Sequence, residues 1–127
     1  MKKIIVGILF FGIVLQIAGC FEQRKVIVRV DENMVAYLTV GQVLECRLEA
    51  NPTTGFEWQV VQFGGNLKSV GPDEYVRRSN MVGFGGTKIF RFNAVKAGIE
   101  ELKFEYLRAW EKGIPPGARY ILRVNIK

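Results

Sequence analysis

Residues 101–106 read Glu-Leu-Lys-Phe-Glu-Tyr (ELKFEY), with charge and apolar bulk changing places at every step. A period of two is what a β-strand imposes, because successive side chains point to opposite faces. Leu102, Phe104 and Tyr106 therefore share one face, and Glu101, Lys103 and Glu105 the other. The same period runs outward in both directions. Upstream, Phe90 and Phe92 alternate with Arg91, and the sets Phe56, Trp58, Val60, then Leu44, Cys46, Leu48, Ala50, then Val26, Val28, Val30 repeat it. Downstream, Tyr120, Leu122, Val124 and Ile126 alternate with Arg119, Arg123 and Asn125. Turn formers separate the runs: Gly41, Asn51-Pro52, Gly64-Gly65-Asn66, Gly71-Pro72-Asp73, Gly83 to Gly86, Ala97-Gly98 and Pro115-Pro116-Gly117. Helical spacing is nearly absent. The pattern predicts an all-β sandwich of seven to eight strands around a single core.

A chain of 127 residues with 49% hydrophobic content holds one domain with a real core. Its first 19 residues read differently. Lys2 and Lys3 precede the apolar run Ile4 to Leu15, and Ile17-Ala18-Gly19 supplies small residues before Cys20, the order of a secretory signal. The apolar run is shorter than the roughly 20 residues that span a bilayer, and Gly7, Gly12 and Gln16 interrupt it. The tripeptide followed by cysteine resembles the lipobox of bacterial lipoproteins, in which that cysteine is lipidated and becomes the first mature residue. The resulting organisation is a signal peptide over 1–19, a short tether over 20–24 from a lipidated Cys20, and a folded domain over 25–127. The expected location is extracytoplasmic, on a membrane, in the periplasm or at the cell surface.

Losing Lys2 and Lys3 lowers the formal net charge from +6 to +4. The remaining basic residues, among them Arg29, Arg47, Lys68, Lys88, Arg91, Lys103 and Arg123, are scattered among acids, which argues against a nucleic-acid surface. There is no histidine, so Ser-His and Cys-His nucleophiles are excluded and a zinc centre lacks its ligands. Glu100, Glu101 and Glu105 do not form a catalytic pair: Glu100 and Glu101 are adjacent and point apart, and Glu101 and Glu105 lie on the strand's wet face. Gly83, Gly85 and Gly86 precede a strand-period run, whereas a phosphate loop opens a helix. With Cys20 carrying lipid, Cys46 has no partner and reads as a buried apolar side chain between Leu44 and Leu48. An enzyme and a cofactor are both unexpected.

The loops carry the remaining information. Asn51-Pro52-Thr53-Thr54-Gly55-Phe56 with Trp58, then Gly83-Phe84-Gly85-Gly86, then Arg108-Ala109-Trp110 resemble, in that order, three motifs of the chagasin family of cysteine-peptidase inhibitors. The resemblance covers about residues 25 to 127. It implies an immunoglobulin-like β-sandwich, acting as a monomer, whose three loops gather at one end and reversibly block the active-site cleft of papain-like peptidases. Apart from Trp58, the thirteen residues of these motifs are then the expected peptidase contacts, with Thr53 and Thr54 entering the cleft, the three loop glycines letting backbone come close, and Trp110 as an aromatic anchor. Ala109 departs from the family, which has proline there, and leaves that loop less restrained. Independently of the family, Pro52 fixes its φ and Gly55 permits positive φ, so the first loop is stiff and loses little entropy on docking. Trp58 keeps phase with Phe56 and Val60 and is read as core. The alternative is a cell-surface binding module for carbohydrate or another protein, using the same end loops.

Overall fold

The computed structural model describes residues 24–31, 34–81 and 83–127; the signal segment and Cys20 lie outside the described residues. Nine strands form two sheets: β1 (Lys25–Arg29), β2 (Met34–Leu38), β3 (Val43–Ala50), β4 (Glu57–Gln62), β5 (Leu67–Ser69), β6 (Glu74–Arg77), β7 (Gly86–Ala94), β8 (Gly98–Leu107) and β9 (Ala118–Ile126). One sheet has the order β1-β3-β7-β5, with β6 on the same edge of β7 as β5; the other is β2-β9-β8-β4. Pairs β1/β3 and β2/β9 are parallel and the others antiparallel. The six runs read from alternation are β1, β3, β4, β7, β8 and β9. Of the other three, β2 is apolar on both faces and so shows no alternation, and β5 and β6 are three and four residues long, too short for a period to register. This is the immunoglobulin-like sandwich, with nine strands where seven to eight were expected.

Leu44, Cys46 and Leu48 of β3, Phe92 and Ala94 of β7, Leu102 and Phe104 of β8, and Leu122, Val124 and Ile126 of β9 close the core. Each is on the face its alternation assigned. Cys46 is buried and free, and burial pushes its thiol pKa upward, so it stays protonated and unreactive. Trp58 is also buried, and its indole donates to the Glu49 carbonyl at 2.7 Å.

One charged residue of the outer face breaks the pattern. Glu45 alternates with Leu44 and Cys46 and should face water, yet it is only 1% exposed. The partners explain it: Arg47 approaches one carboxylate oxygen at 2.7 Å, and Arg91 and Lys25 approach the other at 2.9 and 3.3 Å. Arg91 also reaches Glu74 at 2.9 Å. Arg47 and Arg91 are scattered in sequence but converge here, because β1, β3 and β7 are adjacent. Burial alone would raise the Glu45 pKa; the hydrogen bonds from Arg47, Arg91 and Lys25 outweigh it and hold the pKa at about 2.

A carboxylate whose folded pKa lies below its unfolded value of 4.5 stabilises the fold above that value and loses the contribution as pH falls toward about 2. The contribution is at most about 3 kcal/mol, since Lys25 and Arg47 remain half in water. Denaturant titrations between about pH 5 and pH 2 should show the unfolding free energy of the wild type falling. Glu45→Gln should start lower and have a flatter profile over that window; parallel profiles would remove Glu45 as the origin.

The pairings also fix direction. The chain climbs β1 and β3 and descends β4, with Asn51 to Phe56 between them at the top. It climbs again through β5 and β6 to residues 78–85, descends β7, climbs β8 to residues 108–117, and descends β9. The three loops named from sequence therefore share one pole. The turns at 39–42, 63–66 and 95–97, together with Arg24 at the start of β1, occupy the other.

Candidate functional site: a three-loop pole

Pro52–Thr54 is a single 3₁₀ turn, entered from Asn51 and left at Gly55, whose φ is +81°. The Asn51 side-chain oxygen accepts from the Thr53 amide at 3.3 Å and from the Thr53 hydroxyl at 2.6 Å. The Thr54 hydroxyl donates to the Asn51 carbonyl at 2.7 Å, and the Gly55 amide donates to the Pro52 carbonyl at 2.9 Å. Pro52, Thr53 and Thr54 are exposed, but both threonine hydroxyls already have protein partners. Enclosing them in a cleft therefore strips fewer bonds to water than enclosing free hydroxyls would.

The second loop is tied to the first. The Asn51 side-chain amide donates to the Gly83 carbonyl at 3.2 Å, so this residue's polar atoms are committed within the chain on both sides. Gly85 has φ +61°, and a Cβ there would lie 3.0 Å from the Ala50 carbonyl; Gly83, at φ +88°, faces open space. Phe84 is exposed. Gly86 departs from the expectation that it opens backbone to a partner. It is buried in β7, and the volume a side chain would fill holds the Val76 carbonyl and the Tyr75 ring of β6. The close approach that glycine permits is made by the chain's own edge strand.

The third loop leans on the first as well. Arg108 donates to the Thr54 carbonyl at 3.0 Å, pairs with Glu111 at 3.0 Å, and lies 4.3 Å over the Phe56 ring. The Trp110 indole rests on Gly55, where a Cβ would collide with its six-membered ring, yet Trp110 remains 68% exposed. Ala109 is exposed. Where proline would have restrained this loop, Arg108 and the Glu111 amide, which donates to the Arg108 carbonyl at 3.1 Å, hold it. Phe56 is half-buried between Arg108 and Tyr106, a supporting position.

Tyr106, which the sequence reading placed only among core-facing residues, joins the pole to the core. Its hydroxyl accepts from the Asn51 amide at 3.0 Å, and its ring stacks on Phe56 at 5.1 Å and on Trp58 at 4.8 Å. Trp58 continues the column to Tyr120 at 4.9 Å. Its alternation with Phe104 signals only the face; the contact with Asn51 spans 55 residues and leaves no local trace. Among the described residues no group of three or more His, Cys, Asp and Glu could hold a metal ion. The pole presents exposed Thr53 and Thr54, with exposed Phe84 and Trp110 on the two loops braced against theirs.

Comparison with known proteins agrees with the fold. Over residues 37–124 the chain matches the model of the chagasin family peptidase inhibitor I42. Amoebiasin-2 of Entamoeba histolytica is 26% identical over 89 residues, covering 68% of this chain and 72% of that one. Chagasin of Trypanosoma cruzi is 33% identical over 82 residues, covering 58% and 71%. In fold, the crystal structure of the Entamoeba histolytica cysteine protease inhibitor EhICP2 superposes with a TM-score of 0.69 at 23% identity, over 81% of this chain and 97% of that one. With the family model spanning most of the described domain and the loops of the resemblance meeting at one pole, this chain belongs to the chagasin family of peptidase inhibitors.

Proposed function

We propose that the chain inhibits papain-like cysteine peptidases reversibly, by seating the three-loop pole in the active-site cleft, with no chemistry of its own. The observation that carries this reading is the cross-bracing of the pole: Asn51 to Gly83, Arg108 to Thr54, and Trp110 on Gly55. A loop curled into a 3₁₀ turn and held on both sides does not present the extended backbone that a peptidase cleaves. It also arrives ordered, so docking costs little further entropy. The contacting set is narrower than the sequence motifs: Pro52, Thr53, Thr54, Gly83, Phe84, Ala109 and Trp110 form the surface, while Asn51, Gly55, Phe56, Gly85, Gly86 and Arg108 shape it. The chain works as a monomer, since one copy carries all three loops.

Titrating a papain-like peptidase with a chain starting at residue 21, using a fluorogenic peptide, should abolish activity reversibly, with the inhibitor recovered uncut. Absence of inhibition across several such enzymes would overturn the reading and favour a carbohydrate- or protein-binding module, which a glycan array examines directly.

The second part of the proposal is that Cys20 carries lipid and tethers the domain to a membrane facing the extracytoplasmic space. Its support is the order Lys2-Lys3, apolar run, Ile17-Ala18-Gly19-Cys20. In a cell fractionation the wild type should partition with membranes, and Cys20→Ser should be released or left unprocessed. A soluble wild type whose mature N-terminus is not Cys20 would refute the tether.

A further inference from the structure

We propose that the pole opposite the loops is a docking face for the surface of an anionic lipid bilayer, so that the membrane presents the inhibitory loops outward. This rests on the tether reading for the membrane's proximity, and on the structure for the chemistry. The turns of this pole are stitched into one surface. The Val40 amide donates to the Lys127 carbonyl at 3.0 Å, and the Gly41 amide to the Ala94 carbonyl at 2.8 Å. The Val95 amide donates to the Asn66 carbonyl at 2.9 Å, and the Val43 amide to the Arg24 carbonyl at 3.2 Å. Arg24, Lys96 and Lys127 all emerge here and are exposed.

None of the three cations pairs with an acid among the described residues. On the loop pole Arg78 is paired with Glu49 and Arg108 with Glu111, while Arg77 and Lys112 are exposed and make no ion pair among the described residues, so position next to the tether is what distinguishes the opposite pole. Glu100 reaches one of these turns, where its two oxygens accept from the Gly64 and Asn66 amides at 3.0 and 2.9 Å. Between the cations, Val40 and Val95 stand 51% and 48% exposed. Cations without partners around exposed aliphatic side chains are the composition that binds an anionic interface, charge to headgroup and methyl to acyl boundary.

The occupant is argued from where the chain leaves. β1 begins at Lys25 on this pole, so Cys20 lies within about 17 Å of it at full extension. A lipid on Cys20 therefore brings this pole close to the headgroups. The ten residues of β8 at about 3.4 Å each then hold the loops roughly 30 Å from the surface.

All nine strands and the core lie within the described residues, so a chain starting at residue 21 retains the fold and carries no lipid. Co-sedimentation of that chain with vesicles of phosphatidylcholine alone, and of phosphatidylcholine with phosphatidylglycerol, tests the face independently of lipidation. Binding is expected only to the anionic vesicles and should be lost in about 0.5 M salt. The variant Arg24→Glu/Lys96→Glu/Lys127→Glu should bind about a hundred-fold more weakly, at about five-fold per cation removed, with unchanged thermal midpoint and peptidase inhibition. Arg77→Glu/Lys112→Glu, on the loop pole, should bind as the wild type does. Equal binding to both vesicle types, no binding, or equal losses from the two variants would each overturn the docking face. Failure of the tether itself is read separately, from the mass and membrane partitioning of the wild type.

Discussion

Trp58→Ala lowers the unfolding free energy by about 3–5 kcal/mol, the largest stability loss expected of any single change in this chain. Three effects add. The indole is 4% exposed within the core cluster, so truncation leaves a cavity. Its N–H donates to the Glu49 carbonyl at 2.7 Å, and that acceptor is left without its partner. Its ring also stacks between Tyr106 and Tyr120 at 4.8 and 4.9 Å, and both faces lose contact. In a domain of this size the thermal midpoint should drop by more than about 12 °C. Trp58→Phe, which keeps most of the ring and loses the N–H, should recover the larger part. Because Tyr106 links Trp58 to the Asn51 amide, the alanine variant should also inhibit less well below its melting range. A midpoint within a few degrees of the wild type would show that Trp58 contributes little to the core.

Thr54→Glu has the largest expected effect on inhibition. Thr54 is exposed at the front of the pole, so the proposed complex would enclose a carboxylate with no partner, at a cost of about 3 kcal/mol or more. The inhibition constant should rise more than about a hundred-fold. The fold loses the Thr54 hydroxyl's bond to the Asn51 carbonyl and the long bond it accepts from the Phe56 amide at 3.4 Å, about 1 kcal/mol. Trp110→Ala separates the loops from the fold in the same way. With 68% of its surface in water it contributes little to the core, and its loss should weaken inhibition by about 2 kcal/mol if it anchors the interface. Inhibition constants set against thermal midpoints for Trp58→Ala, Thr54→Glu and Trp110→Ala give the comparison. If Thr54→Glu inhibits as the wild type does, residues 51–55 are a turn and nothing more, and the proposed contact surface fails.

The sequence by itself determined the six longer-patterned strands and their faces, the single core and the shape of the first loop. The period of two fixes which side of a strand each residue occupies, and the buried positions of Leu44, Cys46, Trp58, Phe104 and Val124 follow from it without knowledge of any neighbour. Pro52 and Gly55 act on their own dihedral angles, so the tight turn and its left-handed exit are also local. Three ordered loop motifs were enough to identify the family. Tertiary structure alone decided what covers what. Glu45 sits on the face its period assigns, yet it is buried because β1 and β7 bring Lys25 and Arg91 to either side of β3. Gly86 belongs to a recognisable motif, but the backbone that comes close to it is that of β6. Asn51 reads as a turn residue, and only the meeting of two loops 32 residues apart commits its amide to Gly83. Side-chain period is set by the chain's own geometry; the identity of the neighbouring strand, and with it burial of charge and bracing between loops, is set by sheet order, which no local window contains.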